Sequence, residues 1–376
     1  MFFYKVLIIL LLAIFIFSTS VSGQVLKSAN TSINSSMYRG DSNHSGVFNT
    51  TGVRKLNGVK WKFATTWKRA SQSSPAIQDS VIYFGSGGGT FYAVDMVSGN
   101  KLWEFKTSKN IISSPAVGLG VVCFGSEDSV FYALDAKTGV ERWRFLAGDK
   151  IGSSPIISDS IVYFGSEDYF LYAFNLISGE RVWRKGSYGK IYSSPALSDG
   201  VLYYGGSDGV VHAIDSKTAK DKWSYIVGGP IMSSPSVLNG TVYLGCRDGA
   251  LYAIDAGSGD LKWRFRTKNR VQSSPAVSDD VVYFTSKDGF CYAVDAISGK
   301  EKWKFKADGH PSISSPAVAD GVIYYGTFSG YLYAIDAKTG EKLWSFESHQ
   351  GMMSAPVVLN GVVYFSSWDG HIYALH

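Results

Sequence analysis

Three cysteines in 376 residues are too few and too scattered for a disulfide framework. Cys123, Cys246 and Cys291 stand at ordinary strand positions of different segments, where Tyr, small or aliphatic residues stand elsewhere. They read as buried thiols. Charged residues are only 18% of the chain and the net charge is +5, one unit of it from Lys5. No Lys/Arg run or basic stripe accompanies that excess, which excludes a nucleic-acid footprint. Heptads and long amphipathic helical stretches are also missing. His44, His310, His349 and His371 show no metal-ligand spacing, so no metal site is expected. No nucleophile elbow, phosphate loop or isolated carboxylate pair is found, and no catalytic residue is assigned.

The one long apolar run, Val6 to Phe17, is twelve residues, short of the roughly 20 a bilayer span needs. It follows a single positive charge and leads into the small residues Ser18 to Gly23, the order of a secretory signal. Residues 1–23 are therefore read as a signal peptide, cleaved near Ser22 or Gly23, with an uncleaved anchor as the competing reading. No Cys ends the run, which argues against a lipoprotein. The mature chain is expected outside the cytoplasm, secreted or in the periplasm or cell envelope, with no membrane insertion.

What the sequence has in plenty is glycine (41 residues) and aromatics (15%), a composition of all-β structure. A Ser-Ser-Pro step recurs at Pro75, Pro115, Pro155, Pro195, Pro235, Pro275 and Pro316, and as Ser-Ala-Pro at Pro356. Tyr-Ala-x-Asp follows each, as in Tyr132 to Asp135, with His212 replacing Tyr, and Asn175 and the final His376 replacing Asp, in single copies. Tryptophan keeps the same period at Trp103, Trp143, Trp183, Trp223, Trp263, Trp303 and Trp344. Between markers lie four short runs of alternating residues separated by turn signals. Four antiparallel strands per unit, eight times over, predict an eight-bladed β-propeller, with an open solenoid as the alternative.

The chain ends argue for closure. The eighth unit stops at Tyr373-Ala-Leu-His376 without its Trp strand, and that strand stands at the other end as Trp61-Lys-Phe63. An N-terminal strand at about 58–64 is expected to complete the last blade, removing two exposed sheet edges. The domain reading is thus a signal peptide (1–23), a lead-in (24–57) and one propeller (58–376), monomeric. The Ser/Thr/Asn-rich stretch Gln24 to Thr51 reads as flexible. It holds four of five Asn-x-Ser/Thr sites, Asn30, Asn34, Asn43 and Asn49, the fifth being Asn239; they matter only in a glycosylating host. It also holds Arg39-Gly-Asp41, an adhesion tripeptide discounted here. Residues present in every unit are structure. The Trp is expected between blades, and the Asp-x-x-Ser/Thr-Gly turns are capped turns rather than calcium sites.

These markers together resemble the pyrroloquinoline-quinone-like, quinoprotein-type propeller repeat over about residues 37–376. Met37-Tyr-Arg-Gly-Asp-Ser-Asn-His-Ser-Gly46 is similar to the entry motif that precedes the first blade in such proteins. The resemblance implies one of two functions. In the quinone dehydrogenases, pyrroloquinoline quinone and calcium lie on the axis beside an aspartate base and often a vicinal disulfide. This chain has no adjacent cysteines and no large covering insertions. The BamB-type outer-membrane assembly factors are non-enzymatic, similar in size, and hold protein partners. The expectation is an exported, protein-binding scaffold without cofactor. The alternatives are a quinone-dependent oxidoreductase of alcohols or sugars and a surface carbohydrate-binding module.

Subtracting the repeat leaves departures as candidate site residues. Trp67 and Trp368 are off register and are expected on one face, with Lys68 and Arg69 beside the first. Phe328, Tyr331, Met352, Met353 and His371 are expected in the same sector, a candidate binding patch of hot-spot residue types. Ordinary loop packing is the alternative. Lys109, Lys150, Lys190 and Arg270 occupy loops of the same face, either as a basic ring around the axis or as solvated charge near Glu127, Asp128, Glu167 and Asp168.

Overall fold

The computed structural model describes residues 35–66, 72–309 and 314–376. Thirty-two strands in chain order, β1 to β32, form eight four-stranded antiparallel sheets, and no helix occurs among the described residues. Blade 1 is β2 (Ala76–Gln78), β3 (Val81–Gly85), β4 (Thr90–Asp95) and β5 (Lys101–Lys106), from axis to rim. The pattern repeats up to blade 8, which is β30 (Val357–Leu359), β31 (Val362–Ser366) and β32 (His371–Leu375), completed by β1 (Val59–Ala64). The expected closure is therefore present. Trp61 lies opposite Ala374, just as Trp103 lies opposite Ala93 in blade 1.

Side-chain alternation survives only in the outermost strands, where β5 reads half-buried at Trp103 and Phe105 and exposed between them. The second and third strands are buried on both faces, because each blade is sandwiched between two others. That sandwich explains the invariant tryptophans. Trp103 lays its indole on Gly139 of the next blade, and a Cβ there would come within 2.6 Å of the ring. Its Nε1 donates to the Ala136 carbonyl at 3.2 Å. Gly139 also has a positive φ of 73°, so the turn needs glycine twice over. In blade 4 the position is Ala219, at φ 57°.

The Asp turns are capped, as expected. Asp135 Oδ1 accepts from the Thr138 amide and hydroxyl, both at 2.9 Å. The three thiols are free and buried, and burial pushes Cys246 up to about 12.

Around the axis the second serine of each Ser-Ser-Pro step links one blade to the next. Ser74 N donates to Ser114 Oγ, Ser114 N to Ser154 Oγ, and so on to Ser274 N and Ser315 Oγ, at 2.8–3.0 Å. Ala355 N donates to Ser74 Oγ at 2.8 Å. Ala355 itself has no hydroxyl, so the relay is interrupted once, between blades 7 and 8.

The stretch Gln24 to Thr51 differs from its expected flexibility over its described residues, 35–51. Ser36, Ser42, Asn43, Ser45 and Gly46 offer carbonyls to the amides of Val117, Leu197, Val237, Val277 and Val318, one inner strand after another, at 2.7–3.0 Å. Six of the eight inner strands are tied to it directly, since Ser35 also pairs with Ile77. Composition misled because much of the binding is done by the segment's polar backbone, beside a few buried apolar side chains such as Phe48 and, just beyond, Val53. Arg39 is 3% exposed and donates to the carbonyls of His44, Pro275 and Pro316, so its tripeptide faces no receptor. His44 is wholly buried, and burial beside Arg39 holds it near 3.

Candidate functional site

Each inner strand begins at one face of the ring, and its first residues surround an axial cavity of about 210 Å³. Gln72, Ile112, Tyr192, Met232, Gln272 and Met353 line it toward the mouth, and the serine ring lines it deeper. Tyr38 from the lead-in closes it there, its hydroxyl 3.2 Å from both Ser274 Oγ and Ser315 Oγ. The tyrosine meets the relay at Ser315, the residue next to its break.

The rim is built by the turns joining second and third strands. In six blades the second turn residue donates its amide to the incoming loop: Glu127 to Asn110, Glu167 to Lys150, Ser207 to Lys190, Arg247 to Pro230, Lys287 to Arg270 and Trp368 to Gly351, at 2.9–3.1 Å. This shared bond fixes these side chains as one circle. Read around it, the residues are acidic in blades 2 and 3, basic in blades 5 and 6, and aromatic (Phe328, Trp368) in blades 7 and 8.

The acidic sector is already neutralised. Lys150 reaches Glu127 at 3.4 Å, and Lys190 bridges Asp149 at 2.9 Å and Glu167 at 3.1 Å. Lys109 is exposed. A uniform basic ring is therefore not what these four cations make. Arg270 instead joins Arg247 and Lys287, two residues the sequence reading missed, and none of the three has an acidic partner among the described residues. Their signal was available: both occupy the turn position that singled out Phe328 and Trp368.

Phe328 and Trp368 do meet. Their rings stand edge to face at 5.6 Å, across a Gly351 whose Cβ would touch Trp368 at 3.1 Å. Met353, two residues after Gly351, lines the axial cavity. Tyr331 and His371 are half-buried one turn further out, His371 Nδ1 lying 3.3 Å from Asp369. Met352 is a correction. It is 1% exposed and packs on Gly326 in the column that Ile111, Ile151 and Ile191 fill in other blades, so it belongs to the core and not to a binding surface. Trp67, Lys68 and Arg69 lie outside the described residues, as do His310 and the leader.

Among the described residues no group of three His, Cys, Asp or Glu side chains is placed to hold a metal ion. The one carboxylate lining the axial cavity is Glu167, held by Lys190, and Tyr38 lines its inner end. This donor set does not fit a calcium-bound quinone.

Solved structures share the architecture. BamB from Moraxella catarrhalis aligns with a TM-score of 0.76 at 19% identity, over 86% of this chain and 100% of that one. A europium-containing methanol dehydrogenase gives 0.77 at 16%, over 91% and 98%. Quinohemoprotein alcohol dehydrogenase from Comamonas testosteroni gives 0.78 at 16%, over 91% and 80%. At such identities the likeness is one of fold, and it does not separate binder from enzyme. No curated protein matches by sequence. A family model described as outer membrane protein assembly factor BamB matches residues 53–190 and 287–376. With more than half of its residues matched and the repeat closed into a ring, the chain belongs to this family of quinoprotein-like repeat propellers.

Proposed function

We propose that this protein is an exported, non-enzymatic propeller that holds a protein partner on its axial face, in the assembly of cell-envelope or outer-membrane proteins. The observation that carries this reading is the sectored rim. Phe328, Trp368 and Met353 form an apolar arc, and Arg247, Arg270 and Lys287 an unpaired cationic one, on a circle where other blades place small or neutralised residues. Aromatic and arginine side chains are the residue types enriched in binding hot spots, and here they stand on the turns around the axial cavity. The family description supports the same reading. A quinone-dependent dehydrogenase draws support from the equal fold likeness of two alcohol-oxidising enzymes, but the axial donor set argues against it.

The test is affinity capture from the native envelope with the intact chain and with Trp368→Ala and Phe328→Ala. A specific partner retained by the former and lost by the latter, at unchanged thermal stability, is expected. Tight binding of added pyrroloquinoline quinone and calcium, with dye-linked alcohol or sugar oxidation, would replace this reading with the enzymatic one.

A further inference from the structure

One junction between blades departs from the other seven. At those seven an aromatic ring on the outermost strand of one blade packs on a tyrosine of the next blade's third strand. Phe145–Tyr172 at 5.1 Å is typical, and the range over all seven is 5.1–6.5 Å. Between blades 3 and 4 both partners are replaced. The outer strand β13 (Arg181–Gly186) offers Lys185, and the third strand β16 (Val210–Asp215) offers His212.

The replacement opens a groove of about 600 Å³ lined by Lys185, Tyr188, His212 and Trp223. Lys185 does not fill the space of the missing ring, for its Nζ turns to Asp221 at 2.6 Å. His212 lies flat on Tyr204, ring centroids 4.7 Å apart at 15°, and buried Nε2 of one and the hydroxyl of the other have no hydrogen-bond partner. The turn carboxylate is released as well. Asp168 holds the Tyr172 hydroxyl at 2.7 Å in blade 3, whereas Asp208 in blade 4 keeps only the Val210 amide. At the lip Tyr188 is 94% exposed.

Close-packed interiors do not leave space of this size without cost. The seven intact junctions show what shape fits between these strands, namely a phenyl ring entering from the outer strand. The outer strand is also cationic, with Arg181, Arg184 and Lys185 in six residues. We propose that the groove between blades 3 and 4 takes the aromatic side chain, Phe or Tyr, of an acidic segment of a protein partner. The guest ring takes the place left by Lys185, inclined to His212 at the 59–68° of the intact junctions, and the flanking carboxylates exchange with Asp221 at Lys185. The proposal rests on the protein-binding reading above and adds a contact away from the axial rim.

The probe is a dye-labelled acetyl-Glu-Asp-Phe-Glu-Asp-amide, compared with its Phe→Ala counterpart, titrated into the full chain by fluorescence polarisation. Saturable binding at least about tenfold tighter for the Phe peptide is expected. Lys185→Phe/His212→Tyr restores the repeat pair and is expected to weaken peptide binding about tenfold or more while raising the melting temperature. Tyr188→Ala, at an exposed position that does not threaten folding, is expected to weaken it severalfold. Equal binding of both peptides, no saturation by the wild type, or undiminished binding by both variants overturns the proposal. Partner capture lost in Trp368→Ala with peptide binding kept would leave the groove standing; capture kept without peptide binding would remove the groove alone.

Discussion

The indole Nε1 of Trp344 donates a 2.7 Å hydrogen bond to the carbonyl of Val53, 291 residues earlier in the chain. In the other blades the acceptor is a turn carbonyl of the following blade, such as Leu176 for Trp143 at 2.9 Å. Blade 8 takes β1 as its outer strand, so the turn that joins third and fourth strands elsewhere has no counterpart in it. Residues 53–58 stand in for it, and Asn57 and Gly58 bond His376 on the way to β1.

Closure should therefore be measurable at two points. Trp61→Ala removes an indole packed on Gly99 and bonded to Met96, and is expected to cost about 3–5 kcal/mol. Trp344→Phe keeps most of the packing and loses the bond to Val53, at about 1 kcal/mol. Urea midpoints of the two variants check the order.

Ala219 is the one turn residue beneath a register tryptophan that is not glycine, and it carries a φ of 57°. Ala219→Gly should relieve that strain and stabilise the ring by about 0.5–1 kcal/mol, although glycine in an unstrained position does the reverse. Thermal denaturation of the single variant decides it.

His44 gives the protein an acid limit. Its folded-state value is near 3, against about 6.5 unfolded, so between those values the unfolded chain binds the extra proton. The stability it permits is complete above about pH 6.5 and falls by roughly 1.4 kcal/mol per unit below it. His44→Phe is expected to flatten the stability–pH curve between pH 6.5 and 4.

The serine relay invites completion. Ala355→Ser supplies the missing hydroxyl to Ser315 and is expected to add about 0.5–1.5 kcal/mol, read as a higher denaturant midpoint.

Met352 and Met353 mark how far the sequence could be read. The repeat made every blade, the closure and the turn chemistry legible, because each is written in eight registered copies. It also held the information that Met352 stands in the Ile111 column, yet a Met-Met pair beside off-register aromatics reads as surface. The lead-in shows the opposite limit. Buried Arg39 and His44 sit in a polar stretch occurring once, tied to the blades through backbone amides and carbonyls that leave no mark in composition. The Lys185–His212 junction was half legible, since His212 stood out as a substituted Tyr while its partner column went unread.

The pairing of β1 with β32 sets a constraint in time. The strand translated first has as its hydrogen-bonding partner the strand translated last, so Trp61 and its neighbours wait through the synthesis of some 300 residues with open edges. Contacts of such sequence separation form slowly, and a partly made ring presents a template for wrong pairing. Until β32 is made, β1 has no partner, and the ring stays open at the junction that the last pairing closes.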